Sequence, residues 1–311
     1  MRSSEDIVLA LPAYLHTLGL QSYAPLPQPA TCELCTGEAA VELRTTARVA
    51  DGLRTRFATV CCARCGLMVQ SPRFAPEFYD AYYSRIYRGM VGGAAAPSAA
   101  YVADQVDRGA ALFDNLAGWL PQTGRLLDVG CGAGGMMQPF VDRGWAVLGI
   151  DPDEAATADA AARGLPVVTA SAETMPIDRD RFDLILVMGS LEHVRDPHAV
   201  LQRCHAAAGE ESLLLLEAHG LGQAAHVGAI GHNHRRLLTG TTMALLMLQH
   251  GWALEWVTDR PLCGPTRPGS VFALGRRCAV PDAGALHDAI AGGLRDTPEA
   301  LAKSLDRQAI Q

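Results

Sequence analysis

The stretch LLDVGCGAGGM at Leu126–Met136 decides the fold of this chain. Its apolar first half is typical of a buried parallel strand, and Gly130, Gly132 and Gly134 permit a tight turn that brings backbone close to a ligand before a helix begins. Together with Gly135, the glycines also fit the spacing of a dinucleotide-binding turn. The pattern therefore predicts a nucleotide-type cofactor but leaves two kinds of cofactor open.

Asp128 separates the two cofactors. It stands two residues before Gly130, at the carboxyl end of the predicted strand, where a carboxylate would repel the pyrophosphate of a dinucleotide. The sulfonium and ammonium groups of S-adenosylmethionine are cationic, so an acid suits that cofactor, directly or through backbone and water contacts. The segment DVGCGAG accordingly resembles motif I of class I S-adenosylmethionine-dependent methyltransferases.

Three later segments extend the predicted cofactor site. The strand Ala146–Ile150 ends in Asp151, about 20 residues after the glycine turn, where an acid can accept both ribose hydroxyls. The apolar run FDLILVM at Phe182–Met188 reads as a central strand whose carboxyl end faces the ligand. The resemblance implies that the cofactor contacts Asp128, Gly130, Gly132, Gly134, Asp151, Pro152, Ser171, Ala172, Glu173, Met188 and His193.

The segment SAETMP at 171–176 resembles the family's adenine-binding loop, with one departure. Ser171 stands where the family usually carries the acid that accepts from the adenine amino group. That contact is left to Ser171, Glu173 or water.

Two CxxC pairs, CELC at Cys32–Cys35 and CARC at Cys62–Cys65, have 26 residues (36–61) between them. A hairpin over Val41–Thr59 would bring the pairs together into a tetrahedral zinc site formed by Cys32, Cys35, Cys62 and Cys65. Four thiolates leave no open position on the ion, which favours a structural Zn²⁺ over a catalytic one, with redox chemistry as the alternative. Cys61 is out of register and reads as a spectator, and the scattered cysteines read as buried small residues.

Composition and net charge limit the kinds of binding partner that this chain is expected to have. The chain has 311 residues and a net charge of −7, which argues against binding driven by anionic phosphate, so nucleic acid is unlikely and a small-molecule methyl acceptor is expected. Its longest apolar segments fall short of the ~18 residues needed to span a bilayer, and the amino terminus carries acids instead of a basic start, which predicts a cytoplasmic protein away from membranes.

The sequence divides into five predicted parts. An N-terminal extension (1–29), with a helix expected over Glu5–Leu18, precedes the zinc ribbon (30–73) and a tyrosine-rich helix and hinge (74–98). The tyrosines are expected to pack the ribbon against the next domain, or one or two of them to cap the active site. The methyltransferase domain (99–278) and a C-terminal helical tail (279–311) follow, and the tail is expected to pack on the protein or form a homodimer contact.

Strand and helix patterns alternate through the methyltransferase domain, which predicts an α/β fold with a parallel sheet. A helix over Thr239–Gln249 is followed by strands at Trp252–Thr258 and Val271–Leu274, whose connection is too short for a helical crossover, so the last strand is expected to be antiparallel. The predicted fold class is a seven-stranded, Rossmann-like class I methyltransferase sheet with an N-terminal zinc ribbon.

Methyl transfer to a weakly acidic acceptor needs a base, and four histidines cluster after the fifth strand of the sheet. GHNHRRLLT resembles the corresponding stretch of zinc-ribbon methyltransferases that act on carbon in deoxysugars, where a Glu-His pair precedes an aromatic run. His234 matches that histidine, whereas Asn233 replaces the glutamate and the aromatic run is absent, as is the additional C-terminal domain that these enzymes usually carry. The candidate catalytic residues are His234 as general base, His232, His219 and Glu217, the last to orient a histidine or the substrate.

Three functions remain open from the sequence. The favoured one is methyl transfer to carbon or oxygen of a small molecule in bacterial secondary or cell-surface metabolism, that is, natural product biosynthesis. The second is a zinc-ribbon RNA methyltransferase, for which Arg44, Arg48, Arg54, Arg56 and Arg64 supply a modest basic set. The third is a non-catalytic scaffold that binds the cofactor. A second metal site at the histidines is disfavoured, because the sequence shows no carboxylate cluster beside them.

Overall fold

The computed structural model of the chain describes residues 7–27, 31–37, 40–50, 53–82, 97–177, 181–219, 234–267, 269–282 and 284–308. Its strands are β1 (Ile7–Leu9), β2 (Pro25–Leu26), β3 (Ala40–Ala50), β4 (Leu53–Cys62), β5 (Met68–Ser71), β6 (Arg73–Phe74), β7 (Arg125–Val129), β8 (Ala146–Asp151), β9 (Val167–Thr169), β10 (Phe182–Met188), β11 (Ala208–Ala218), β12 (Arg236–Leu237), β13 (Trp252–Thr258) and β14 (Val271–Arg277). Its α-helices are α1 (Leu11–Thr17), α2 (Pro76–Tyr82), α3 (Ala99–Leu116), α4 (Gln138–Val141), α5 (Glu154–Ala162), α6 (Pro197–Ala207), α7 (Gly240–Gln249), α8 (Ala285–Ala291) and α9 (Pro298–Gln308).

Seven strands form the main sheet in the order β13-β14-β11-β10-β7-β8-β9. The five strands from β9 to β11 run parallel, and β14 is antiparallel to both β11 and β13. The predicted seven-stranded α/β sheet and its antiparallel last strand are confirmed. Because neighbouring parallel strands end at the same edge, the turns after β7, β8, β10 and β11 meet there and build the site described below.

Two apolar cores cover the two faces of this sheet. Alternate residues of the central strands belong to different cores: Ile185 and Val187 join one, and Leu184 and Leu186 the other. Because side chains alternate between the faces of a strand, a strand buried on both faces reads as one unbroken apolar run. That run is why β10 occupies the residues predicted for it.

Three helices that flank the main sheet begin directly after N-capping residues. Asp153, Asp196 and Thr239 each accept backbone N–H groups at the start of α5, α6 and α7. The helix expected after the glycine turn is shorter than predicted: a 3₁₀ turn at Gly135–Met137 precedes α4. Pro139 explains the break, since it has no N–H to continue the α-helical hydrogen bonds through the turn.

The single helix expected over Glu5–Leu18 is wrong. Strand β1 pairs in parallel with β4, and the helix begins only at Leu11. Pro12 lies in the first turn of α1, where its missing N–H is tolerated, whereas in the middle of a longer helix it would remove a hydrogen bond. The β-branched Ile7 and Val8 favour the strand.

A second sheet carries the cysteine pairs. Its order is β1-β4-β5-β12, with β3 paired to β4 in the predicted hairpin, and the turn at residues 51–52 lies outside the described part of the chain. Strand β12, which follows the main sheet's β11 in the chain, pairs with β5 through Arg236 opposite Val69. We call this the ribbon sheet, and β12 lies in it although the strand before it in the chain, β11, belongs to the main sheet.

The tyrosine-rich helix packs, as the first of its two interpretations predicts. Tyr79 and Tyr82 of α2 are buried in a cluster with Tyr14, Phe74 and Phe78. The Tyr79 hydroxyl donates to Gln70 Oε1 at 3.2 Å, and its ring lies 3.8 Å from the Arg235 guanidinium carbon. Tyr83 and Tyr87 lie outside the described residues.

The C-terminal tail also packs on the protein. Leu286 and Ile290 of α8 belong to the main core, and Leu301 of α9 to the cluster around α2. Between them, Asp296 accepts hydrogen bonds from Thr239 and Thr241 at the start of α7. The tail is thus a packed segment, and homodimer contact through it stays a prediction. Among the described helices, none combines the length with the apolar character that crossing a bilayer requires.

Candidate functional site

The glycine turn after β7 presses against the turn after β10. Gly130 has φ +85°, and a Cβ added there would lie 2.6 Å from Ser190 Cβ, so no other residue fits without displacing that turn. The Ser190 hydroxyl donates to the carbonyl of Val129 at 3.0 Å. The structure thus has the predicted tight glycine turn at the carboxyl edge of the sheet, and its contact with a ligand stays a prediction.

Asp128 is buried at the same edge with one oxygen unused. It is 2% exposed, and its Oδ1 has no hydrogen-bond partner within the described residues. Burial, with a smaller contribution from the charge of Asp151, raises the pKa of Asp128 to about 7 against the opposing effect of Arg108. A cationic cofactor would stabilise the charged form of this buried carboxylate, which burial disfavours.

Asp151 holds the glycine turn in place. Its Oδ2 accepts from the backbone N–H of Gly132 and its Oδ1 from that of Asp153, both at 2.8 Å. Burial raises the pKa of Asp151, and these two hydrogen bonds oppose the rise. Each oxygen keeps a second lone pair, so the predicted contact with ribose hydroxyls stays compatible with this geometry. Pro152, beside it, is exposed.

The predicted adenine loop is tied to the protein by Glu173. Its Oε1 accepts from the backbone N–H groups of Arg195 and Asp196 at 2.7 and 3.4 Å, which commits that oxygen to the turn before α6. Ser171 exchanges a 2.9 Å hydrogen bond with Thr174, and Ala172 is half-buried beside it. Of the two side chains considered for the adenine amino group, Glu173 has one oxygen bonded to the backbone before α6, whereas the Ser171 hydroxyl bonds only within the loop.

Glu217, at the end of β11, is fully buried among cations. Its oxygens lie 2.7 Å from Ser270 Oγ, 3.4 Å from Arg267 Nη1 and 3.5 Å from Arg108 Nη2. Sequence reasoning expected this carboxylate to orient a histidine or the substrate. The structure pairs it with two arginines, and another carboxylate holds the histidine; a role of Glu217 toward the substrate stays a prediction.

That carboxylate is Glu192, in the turn after β10. Its Oε1 lies 2.8 Å from Nδ1 of His219, the first residue after β11. The His234 ring lies 4.9 Å from the His219 ring and 4.6 Å from that of His193. We call Glu192, His219 and His234 the Glu-His cluster; it brings a glutamate to the histidines although Asn233 stands where the sequence comparison expected one. His226, His232 and Asn233 lie outside the described residues.

The environment of Glu192 fixes its charge. Burial acts to raise the pKa of Glu192, but the hydrogen bond from His219 and the three neighbouring imidazoles outweigh burial and hold it below the ordinary range. Its second oxygen, Oε2, is buried without a hydrogen-bond partner among the described residues. His219 is the accessible member of the cluster, with 35% of its side chain exposed. An anionic carboxylate can therefore stabilise a proton or another cation beside His219.

The four cysteines of the ribbon sheet converge as predicted. Cys32 Sγ lies 3.7 Å from Cys65 Sγ, Cys35 Sγ lies 3.6 Å from Cys62 Sγ, and all four sulfurs lie within 4.8 Å of one another. The sulfur separation of a tetrahedral site with Zn–S bonds of about 2.3 Å is about 3.8 Å, so this donor set fits a zinc ion. We call it the four-cysteine cluster. Cys61 stays outside it, and burial raises the pKa of its thiol to about 12, consistent with a spectator.

One salt bridge ties the four-cysteine cluster to the Glu-His cluster. Arg236, 1% exposed, donates to Glu33 between the two cysteines of the first pair at 2.7 Å. The same guanidinium donates to the carbonyls of Leu191 and Val194, on either side of Glu192 and His193, at 2.9 and 2.8 Å. Arg73 also donates to Glu33, at 2.9 Å. The turn that carries Glu192 is therefore held from the ribbon sheet.

The sequence of this chain is similar to known methyltransferases. The family described as "Methyltransferase domain" matches residues 101–256. The ubiquinone biosynthesis O-methyltransferase of Rhodopseudomonas palustris (strain HaA2) is 39% identical over 103 residues, covering 30% of this chain and 38% of the relative. That of strain TIE-1 is 44% identical over 89 residues, covering 26% and 34%. The chain thus spans well under half the length of these two curated relatives.

A solved structure shares the fold. The 1,6-didemethyltoxoflavin-N1-methyltransferase of Burkholderia thailandensis, with bound 1,6-didemethyltoxoflavin and S-adenosylhomocysteine, is 20% identical, with a TM-score of 0.51 over 72% of this chain and 96% of that one. At this identity the likeness concerns the fold. It agrees with the seven-stranded sheet described above.

Proposed function

Since the chain belongs to the family of S-adenosylmethionine-dependent methyltransferase domains, we propose that it moves the methyl group of S-adenosylmethionine to an oxygen or carbon of a small molecule. The observation that carries this proposal is the edge of the main sheet. There the cation-seeking carboxylate of Asp128 and the Glu-His cluster lie at the ends of neighbouring parallel strands, β7 and β10. One pocket edge thus offers a place for the donor and a group to activate the acceptor.

The residues of the chain would divide this work. Asp128 and Asp151, with the glycine turn, bind and orient the cofactor, which when bound supplies an electrophilic methyl group. His219, held by Glu192 through Nδ1, takes up the acceptor's proton, and Glu192 stabilises the imidazolium that results. His234, the base favoured by sequence, packs against His219 and is the second candidate for the proton. Positioning of the two reactants supplies the rest of the catalysis.

The acceptor proposal is a small molecule of bacterial secondary or cell-surface metabolism, with oxygen favoured over carbon. The similar proteins named above include O-methyltransferases, and the net charge of −7 favours a weakly charged acceptor over a polyanion. A deoxysugar carbon is the alternative within the same class. The four-cysteine cluster is proposed to hold a structural Zn²⁺.

Calorimetric titration and single-turnover kinetics test the proposal. Zinc-loaded protein should bind S-adenosylmethionine, and absence of binding would refute the methyltransferase assignment. His219→Ala should lower turnover roughly 100-fold while cofactor affinity stays nearly unchanged. If His234 is the base instead, His234→Ala should cause that loss and His219→Ala should not. His205→Ala, outside the cluster, is the control. Cofactor binding with no turnover on any acceptor would instead favour a non-catalytic scaffold.

An RNA acceptor is the second candidate, because the β3–β4 hairpin is rich in arginine. In the strand register Arg48 lies opposite Arg54, and the same two strands carry Arg44 and Arg56. Binding of bulk RNA at moderate salt tests this candidate. If it is right, the parent should bind RNA, and Arg48→Ala and Arg54→Ala should each weaken that binding. Absence of RNA binding by the parent would exclude it.

A further inference from the structure

The Glu-His cluster is assembled from three separate parts of the chain. Glu192 follows β10, His219 follows β11, and His234 precedes β12. One ligand-type atom of each side chain lies within 4.8 Å of those of the other two. Two imidazoles and one carboxylate are a donor set typical of divalent transition metals such as Zn²⁺, Co²⁺ and Fe²⁺.

Glu192 supplies a second, independent observation. Its side chain is 3% exposed, Oε1 is engaged by His219, and Oε2 has no hydrogen-bond partner among the described residues. By contrast Glu33, the acid of the ribbon sheet, has an arginine on each oxygen. Burying an anionic oxygen without a partner is costly, so the free oxygen calls for a cation.

The spacing within the cluster fits coordination as well as a hydrogen bond. Around an octahedral ion with bonds of about 2.1 Å, adjacent ligand atoms lie about 3 Å apart. Glu192 Oε1 and His219 Nδ1 are separated by 2.8 Å, close to that distance. With 35% of its side chain exposed, His219 leaves room beside it for further ligands on the same ion.

We propose that Glu192, His219 and His234 bind a divalent transition-metal cation whose open positions take the acceptor. The inference rests on the proposed function and names its acceptor class: a small molecule with a hydroxyl group next to a second oxygen donor, which can bind the cation through both. Coordination lowers the pKa of that hydroxyl, and its proton leaves to solvent. The oxygen then forms a bond to the methyl carbon, while the methyl-to-sulfur bond breaks and its electron pair stays on the sulfur.

This site differs from the four-cysteine cluster in donors and in openness. Four sulfurs close the coordination sphere of one ion, whereas three nitrogen and oxygen donors leave vacancies on the other. The two sites are therefore distinguishable by spectroscopy. In the cation-loaded protein His219 is a ligand, and in the cation-free protein it is the proton acceptor.

Titration with Co²⁺ tests the proposal. Protein with its zinc retained is dialysed against Co²⁺, and bound cobalt is counted by elemental analysis and by visible absorption, in which a nitrogen-oxygen site lacks the intense thiolate charge-transfer band of a four-cysteine site. We expect one Co²⁺ per chain with no such band. Glu192→Gln and His219→Ala should each weaken cobalt binding at least tenfold, and His205→Asn should leave it unchanged.

Each outcome decides between the proposals. Failure of the zinc-loaded parent to bind Co²⁺, with S-adenosylmethionine binding intact, overturns the metal site and leaves the proposed function standing. Cobalt binding that survives Glu192→Gln and His219→Ala overturns the assigned ligands. Failure to bind S-adenosylmethionine overturns the proposed function instead. Glu192→Gln preserves shape, so an unchanged thermal transition in that variant separates ligand loss from unfolding.

Discussion

The ribbon sheet and the carboxyl edge of the main sheet both bury polar groups, but these groups differ in the partners that they have within the protein. In the ribbon sheet, four sulfurs face one another and Glu33 is neutralised by Arg73 and Arg236. At the edge of the main sheet, Asp128 and Glu192 each retain a buried oxygen that has no hydrogen-bond partner among the described residues.

The difference separates stability from function. Groups whose partners are protein side chains, or a structural ion that they enclose, stabilise the fold, so their loss should lower stability. Groups with a buried oxygen that has no partner among the described residues are available to a ligand, so their loss should impair binding more than stability. Each prediction below tests one side of this contrast.

The largest effect is expected at the four-cysteine cluster. Cys62→Ala should abolish zinc retention, and with it a binding contribution on the order of 10 kcal/mol to the folding of the ribbon sheet. Because Cys35, Cys62 and Cys65 pack in the same core as the main sheet, the loss should also lower the thermal transition of the methyltransferase domain. Elemental analysis and calorimetry measure both changes.

Cys61→Ala is the matched control for this prediction. Cys61 is equally buried and adjacent in sequence, but it lies outside the cluster. The variant should keep one zinc ion per chain and lose about 1 kcal/mol of unfolding free energy. If both variants retained zinc, the assigned ligand set would be wrong.

The link between the two regions gives the next largest effect. Arg236→Ala removes a buried guanidinium and leaves Glu33 and the carbonyls around Glu192 without its hydrogen bonds. We expect a loss of about 3–5 kcal/mol in unfolding free energy, measured by denaturant titration. Arg73→Ala removes the other partner of Glu33. Because the Arg73 side chain is 23% exposed, this variant should lose about 1 kcal/mol or less of unfolding free energy. Equal losses in the two variants would contradict the role of burial in this link.

The sequence predicted what local patterns determine. Apolar runs fixed the strands of the main sheet, and Asp153, Asp196 and Thr239 marked helix starts through their own capping chemistry. The two CxxC pairs predicted the four-cysteine cluster because sulfur ligands at that spacing leave few alternatives. The helix expected from Glu5 failed where Pro12 set the start of α1.

Contacts between distant segments could not be predicted in the same way. Arg236 meets Glu33 across 203 positions of sequence, and nothing in either segment marks the other as its partner. Glu192 is intermediate: its pairing with His219 follows from β10 and β11 being parallel neighbours, a relation available from the predicted strand order. Sequence reasoning instead assigned the orienting role to Glu217, which was nearer in sequence and which the structure surrounds with arginines.

The pH dependence of cofactor binding should show whether Asp128 is a group that waits for a ligand. Because its pKa is raised to about 7, chiefly by burial, the carboxylate is ionised above that pH and protonated below it. Affinity for the cationic cofactor should therefore fall about tenfold between about pH 8 and about pH 6. Asp128→Asn should weaken binding roughly 10- to 100-fold at the higher pH and remove most of the pH dependence, as measured by calorimetry.

The stability of the same variant should move in the opposite direction from that of the ribbon variants. A carboxyl group whose pKa is higher in the folded than in the unfolded protein stabilises folding below its unfolded value, and that benefit is lost as pH rises to about 7. Relative to the parent, Asp128→Asn should therefore gain stability as pH increases through this window. A variant that instead lost stability with rising pH would show that Asp128 is already satisfied within the protein.

The smallest effect is expected at the adenine loop. Ser171→Asp would restore the acid that the family usually carries there, adding a charged acceptor for the adenine amino group. Because Ser171 is partly exposed and the Thr174 hydroxyl, which shares a hydrogen bond with the serine, can donate to the new carboxylate, the change should not disturb the loop. We expect cofactor affinity to tighten about three- to tenfold. Ser171→Asn has nearly the same shape without the charge, so a smaller gain in that variant would attribute the effect to the carboxylate, whereas no gain in either would mean that adenine binds away from this loop.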